Sequence, residues 1–161
     1  MLEPKPLVLL AQIDSHQGLP ALKEWVSIRK AEGLRFKISN VYQVPTTSGQ
    51  IKSLFELWFA ISLERIYEPL ILPELISDLQ WKSAVRLTPL LWGEKSFLDP
   101  QMPLPHPELH QNPIMLQCAA EVEPHVIHPI LGQTLEDRLN DSGFAGLDFF
   151  AQGEQFRLEE R

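Results

Sequence analysis

The chain has 161 residues, 44% of them hydrophobic and 22% charged, a globular composition that rules out a disordered polymer and can bury roughly two thirds of its extended surface. Its formal net charge of -7 comes with basic residues scattered along the sequence, which argues against nucleic acid as a partner, since phosphate backbones are bound by clustered Lys and Arg. In chain order, Leu7 to Ile13 (LVLLAQI) is an apolar run of strand length, as expected for a strand buried on both faces. After the polar break at Asp14 to Gly18, Pro20 suits the first turn of a helix whose apolar face is Leu19, Leu22, Trp25 and Val26, with Gly33 as its left-handed stop. Leu34, Phe36 and Ile38 alternate with polar residues, which predicts a strand continuing to about Val44. Pro45 to Gly49 reads as loop. Phe55 to Leu63 alternates most cleanly of all, with one side to the core and the other partly wet.

Leu72, Leu75, Ile76 and Leu79 predict a second helix opened by Pro73, and Val85 to Trp92 predicts another strand. Pro89 lacks a ladder donor, so that strand must lie at an edge or break there. Strand, helix, strand, strand, helix, strand is the order of a ferredoxin-like βαββαβ sandwich, an α+β fold with an antiparallel sheet. From Asp99 to Pro113 the chain is dense in proline and reads as an ordered loop with a short turn near Glu108 to Gln111. Additional C-terminal helices follow: Ile114 to Val122, then a segment capped by Thr134 with Asp137 three residues on and stopped at Gly143. The tail around Leu147, Phe149 and Phe156 reads as a hairpin turning at Gln152-Gly153. No linker divides the sequence, so residues 1–161 are expected to form one domain. Cys118 is the only cysteine, which excludes an internal disulfide. With no apolar run of the ~20 residues a membrane helix needs and no signal-peptide pattern at the start, a cytoplasmic location and no membrane partner are expected.

Leu104 to Leu139 carries Leu-Pro-His-Pro, an apolar segment, Ala-Glu-Val-Glu-Pro, and His-Pro-Ile-Leu-Gly-Gln-Thr. Together with Leu90-Leu91-Trp92-Gly93-Glu94, Ile38 to Tyr42 and Leu63-Glu64, this skeleton resembles the 6-hydroxymethyl-dihydropterin pyrophosphokinases of the folate pathway. The resemblance implies the same ferredoxin-like fold and transfer of pyrophosphate from ATP to a hydroxymethylpterin. In that family two magnesium ions are held by an Asp-x-Asp pair on one face of a strand. The matching positions here are Arg86 and Thr88, neither of which offers a carboxylate. The family's Gly-Ser-Asn after the first strand is replaced by Ile13-Asp14-Ser15. Its pterin-reading asparagine falls at Leu57-Trp58, its stacking aromatic is Ile114, and an arginine two positions earlier is Asn112. Its basic loop is shortened to Gln80-Trp81-Lys82-Ser83, and His106 alone remains of the motif that touches ATP phosphates.

These departures predict a divergent relative whose catalysis is lost or impaired, serving as a binding or regulatory module for a pterin-like or nucleotide-like small molecule or for a protein. No catalytic residue, metal or cofactor is expected; the candidate cleft is His106, Trp81, Arg86 and Thr88. The alternative is an active pyrophosphokinase using ATP and magnesium with a rearranged site drawn from Glu94, Asp99 or Glu64. His106 and His110, four apart, have the spacing of metal ligands on a helix, with Glu108, His125 or His128 as a third; loop anchoring and capping are the plainer roles. Asp14, Ser15 and His16 hold the residue types of a catalytic triad, but neighbours in sequence do not meet in that geometry. Cys118, in an apolar run, is expected to be a small core residue, and Trp58 is expected either to line the cleft or to lie beneath a helix.

Overall fold

β1 (Lys5–Ile13) forms where the sequence has its apolar run, and alternation sends its side chains into two cores. Leu7, Leu9, Ala11 and Ile13 enter one, Val8 and Leu10 the other, as a strand covered on both faces requires. The computed structural model describes residues 3–14, 17–45, 55–79, 84–144 and 147–153. After β1 come α1 (Gly18–Ala31), β2 (Phe36–Ile38), β3 (Val41–Pro45), β4 (Phe55–Ile66), a 3-10 turn (Pro69–Ile71), α2 (Leu72–Leu75) and β5 (Val85–Trp92). A small hairpin of β6 (Phe97–Asp99) and β7 (Met102–Leu104) follows, then α3 (Pro113–Val122), α4 (Leu135–Ser142) and β8 (Asp148–Ala151).

The main sheet runs β5-β1-β4-β3-β8, with β2 also paired to β4, and every pairing is antiparallel. Each βαβ unit is thus split by a strand of the other: β4 lies between β1 and β2–β3, and β1 lies between β4 and β5. This is the ferredoxin-like arrangement. Pro89 sits on the edge strand β5, where the register with β1 also shifts between Val8 and Leu9; both routes by which a strand tolerates proline are used. α1 covers one face through Ala21, Leu22, Trp25 and Val26, and ends with Gly33 at φ 97°. α3 and α4 cover the other through Leu116, Ala119 and Leu135. Among the described residues no helix is long and apolar enough to cross a membrane.

Four features depart from the periodicity. The strand expected to run unbroken to Val44 divides at Ser39-Asn40, where Ser39 Oγ accepts from Ala60 N at 2.8 Å and its own amide donates to Ala60 O at 3.0 Å. The second helix closes after Leu75 because Leu75 O is taken by α1: Trp25 Nε1 donates to it at 2.7 Å and Arg29 Nη1 at 3.2 Å. Leu79 N, which an α-helix would send to that carbonyl, turns to Ile76 O instead. The proline-dense stretch, expected to be loop, contains the β6–β7 hairpin; Pro103 pairs opposite Leu98. The tail strand β8 pairs with β3 across the sheet, and residues 154–161 lie outside the described part.

Candidate functional site

Val85 and Leu87 of β5 turn to the α1 core, so Arg86 and Thr88 stand on the opposite face, toward α3. Register places Thr88 beside Leu10 and Arg86 beside Gln12. Gln12 is in turn beside Trp58, Trp58 beside Tyr42, and Tyr42 beside Phe149. One row of side chains therefore crosses the sheet: guanidinium, amide, indole, phenol and phenyl. Arg86 is exposed and Gln12 and Trp58 are half-buried, because α3 roofs the sheet over Ala60 and Ser62 and leaves this row open at its β5 end. Arg86 Nε donates to Gln12 Oε1 at 2.9 Å, which steadies the guanidinium over the strand. Trp58 packs against the α3 core and its Nε1 donates to Glu56 Oε1 at 3.1 Å.

The Leu-Pro-His-Pro segment docks along the free edge of β5: His106 N donates to Leu90 O at 2.7 Å, two residues from Thr88. His106 Nδ1 accepts from Glu108 N at 3.1 Å, so the ring closes the turn of its own loop and a neutral imidazole carries its proton on Nε2. Arg86 and Thr88 thus share one face of β5, while His106 lies along its edge at Leu90; Trp81 lies outside the described residues, as do Ser15 and His16. As a donor set this row suits an anionic or carbonyl oxygen. It does not fit magnesium, which takes carboxylates and water in octahedral array. The acids that the sequence offered for a rearranged metal site are dispersed. Glu94 Oε2 accepts from Ile127 N at 3.1 Å, Asp99 Oδ1 from Gln101 N at 2.8 Å, and Glu64 borders a cavity at the other end of β4. Among the described residues no group of three or more His, Cys, Asp or Glu is placed to hold a metal ion.

Several residues singled out in the sequence have structural work. Asn112 caps α3, its Oδ1 accepting from Ile114 N at 3.0 Å and Met115 N at 3.1 Å. Ile114 packs on the α3 core. Cys118 is buried, and burial pushes its thiol up to about 12, which makes it inert. His128 is buried and its Nδ1 accepts from Ile130 N and Leu131 N, both at 3.2 Å. Burial, then His110 and Arg138 beside it, push its pKa below the ordinary value. His110 meets it edge-on at 5.8 Å between ring centroids.

Sequence reasoning missed the polar knot under α3. Glu121 Oε1 accepts from Asn40 N at 2.9 Å, and Oε2 accepts from Gln117 Nε2 at 2.6 Å and from the Tyr42 hydroxyl. Glu123 Oε2 accepts from Ser62 Oγ at 2.8 Å and lies 3.4 Å from Lys37 Nζ. Burial, reinforced by Glu121, raises the Tyr42 pKa, so the phenol stays protonated and donates. The signal was available: one glutamate inside a largely apolar helix and another at its C-cap must find partners.

No family model matches this sequence, and no curated protein matches it significantly. Solved structures do. HPPK-DHPS of Plasmodium falciparum with pteroate superposes with a TM-score of 0.61 at 11% identity, over 88% of this chain and 43% of that one. The wild-type HPPK-DHPS gives 0.62 at 12% identity, over 88% and 45%, and its form with SDX-DHP gives 0.59 at 10%, over 86% and 43%. The chain thus spans less than half the length of these structures. At such identity the likeness establishes a shared fold.

Proposed function

We propose that this chain keeps a pterin-pyrophosphokinase scaffold without the pyrophosphoryl-transfer chemistry, and acts as a binding or regulatory module for a pterin-like or nucleotide-like ligand that it takes without magnesium. One observation carries the reading: the face of β5 that would have to present two carboxylates presents Arg86, tied to Gln12 at 2.9 Å, and Thr88. Moving a polyphosphate depends on divalent ions that bridge its oxygens and neutralise developing charge. A single guanidinium supplies one positive charge and no coordination geometry, so it binds an anion without activating it. The fold likeness to HPPK-DHPS supports the scaffold half of the proposal, and the motif from Leu104 to Leu139 supports the same lineage.

The test is direct. Incubated with ATP, magnesium and hydroxymethyl-dihydropterin, the protein is expected to release no AMP above background. In a thermal-shift titration ATP or the pterin is expected to raise Tm equally with and without magnesium. Saturation near a hundred times Kd stabilises by about 2.7 kcal/mol, or roughly 5–10 °C for a chain of this size. AMP release within about a thousandfold of ordinary kinase turnover, ~1–100 s⁻¹, or a shift that appears only with magnesium, overturns the proposal.

A further inference from the structure

The loop that joins α3 to α4 is held separately at its base and at its tip. At the base, Leu135 N donates to Val126 O at 3.0 Å, Ile127 bridges to Thr134, and His128 N donates to Gln133 O at 2.8 Å. Ile127 N is held in addition by Glu94 Oε2 at 3.1 Å. The tip, Pro129-Ile130-Leu131-Gly132, is gathered around one histidine. Gly132 N donates to His128 O at 2.9 Å, and Ile130 N and Leu131 N both donate to the ring at Nδ1, at 3.2 Å. Gly132 takes φ 71°, the left-handed conformation that lets so short a turn close. Ile130 is 73% exposed, so its side chain adds little packing to hold the tip in place.

The ring that holds the tip has one position left for a proton, and that position is occupied. With Nδ1 accepting from two amides, neutral His128 carries its hydrogen on Nε2. A second proton can bind only at Nδ1, where it meets two N–H groups instead of an open lone pair. The charged ring would also be poorly placed. His128 is 2% exposed, and its Nε2, like His110 Nδ1, is buried with no hydrogen-bond partner, so the charge has no bonded acceptor. Two groups face the ring: His110 from the loop before α3, edge-on at 5.8 Å, and Arg138 from α4, whose Nε and Nη2 donate to His110 O at 3.2 and 3.1 Å. The acids on the surrounding elements are turned elsewhere. Glu94 after β5 holds Ile127 N, Glu123 at the end of α3 holds Ser62 and Lys37, and Asp141 of α4 holds Gln133 Nε2.

We propose that His128 is a proton-sensitive latch: a proton taken up at its Nδ1 displaces the Ile130 and Leu131 amides and releases the tip of the α3–α4 loop while the base stays closed. The open loop binds the proton better than the closed one. The latch therefore holds above the ordinary histidine value of 6.5 and opens as pH falls below it toward the lower pKa of the closed state. The device is independent of the function assigned to the β5 row. Amide hydrogen exchange followed by NMR on the full chain tests it, with protection corrected for the intrinsic pH dependence of exchange. The Ile130 and Leu131 amides are expected to lose protection together as pH falls below the ordinary histidine value, about tenfold per pH unit. At every pH they are expected to lie at least about a hundredfold below the Trp25 amide of α1, as a local opening requires. In His128→Asn the side-chain oxygen accepts from the same amides and takes no proton, so their protection is expected to stay flat between pH 7 and pH 5. The ring of the parent protein gives a check that needs no variant: at pH 8 the nitrogen shifts are expected to show Nδ1 bare and Nε2 protonated. Protection at Ile130 and Leu131 that ignores pH, a pH dependence that survives in His128→Asn, protection equal to that of Trp25, or a proton on Nδ1 at pH 8 overturns the proposal.

Discussion

Glu121 fastens α3 to the sheet, and the strength of that fastening can be worked from its partners. Its carboxylate accepts from Asn40 N, Gln117 Nε2 and the Tyr42 hydroxyl, and Tyr42 is only 6% exposed. Glu121→Leu keeps a side chain of similar bulk but removes every acceptor. Gln117 is half-buried on the helix and can turn to water; Asn40 N and the Tyr42 hydroxyl cannot do so as easily. Two orphaned donors at about 1–3 kcal/mol each, less what the leucine gains by burial, give an expected loss of about 2–4 kcal/mol. Tyr42→Phe alone deletes one donor and is expected to cost about 1 kcal/mol. In the Glu121→Leu background the same change removes a group already orphaned, so it is expected to be neutral or stabilising. Urea denaturation of the four proteins yields the coupling, expected at about 1–3 kcal/mol. Additive losses within about 0.5 kcal/mol would refute the claim that the two side chains share one buried interaction.

If the missing carboxylates are what separates this β5 from a metal-binding strand, Arg86→Asp/Thr88→Asp puts two acids on one exposed face. The double variant is expected to gain a magnesium-dependent rise in Tm of about 3–5 °C at ten times its Kd, absent in the parent; no rise at any magnesium concentration would count against the strand as the lost site. His128 predicts a pH effect. Its folded pKa lies below the ordinary 6.5, so the unfolded chain takes the proton first. The stability it contributes is fully present above that value and is lost as pH falls through it toward the folded pKa. The groups seen facing it are His110 on the preceding loop and Arg138 on α4, and both oppose its protonation. Denaturation at pH 8 and pH 5 is expected to show a steeper loss for the parent than for His128→Asn, by at most about 1.4 kcal/mol per pH unit; parallel slopes would remove His128 as the cause.

Those parts of the fold governed by local rules were legible. The LVLLAQI run, the stop at Gly33, the edge position forced by Pro89 and the Thr134 cap, whose Oγ1 accepts from Asp137 N at 3.1 Å, all follow from periodicity, dihedral preference or a missing donor. What could not be read was set by distant partners. The second helix ends where it does because Trp25 and Arg29, some fifty residues earlier, occupy Leu75 O. The strand divides at Ser39 because its hydroxyl substitutes for a ladder acceptor at Ala60. The hairpin at Pro103 was hidden because proline disfavours strands in wide sheets, whereas in a two-stranded ribbon each strand is an edge. For the candidate site, the sequence singled out Arg86, Thr88 and His106 but gave no sign of the row from Arg86 to Phe149, which exists only once the register is known.

The row across the sheet also bears on how such a protein arises. Functional sites are where a fold carries side chains that local stability does not ask for: acids crowded together, polar edges left open for substrate. At the positions where a pyrophosphokinase would need such side chains, this chain has ones that satisfy themselves. Asn112 closes the first turn of α3, Trp58 settles against the helix layer, Arg86 leans on Gln12, and His106 closes its own turn. Each of these side chains is already bonded or packed. On the proposed function, a scaffold released from moving phosphate is expected to drift in this direction, because most ways of losing an active site relieve strain and few create it. Under the proposed function the β5 row keeps the part that costs little: an exposed guanidinium and a hydroxyl, to receive an anion without acting on it.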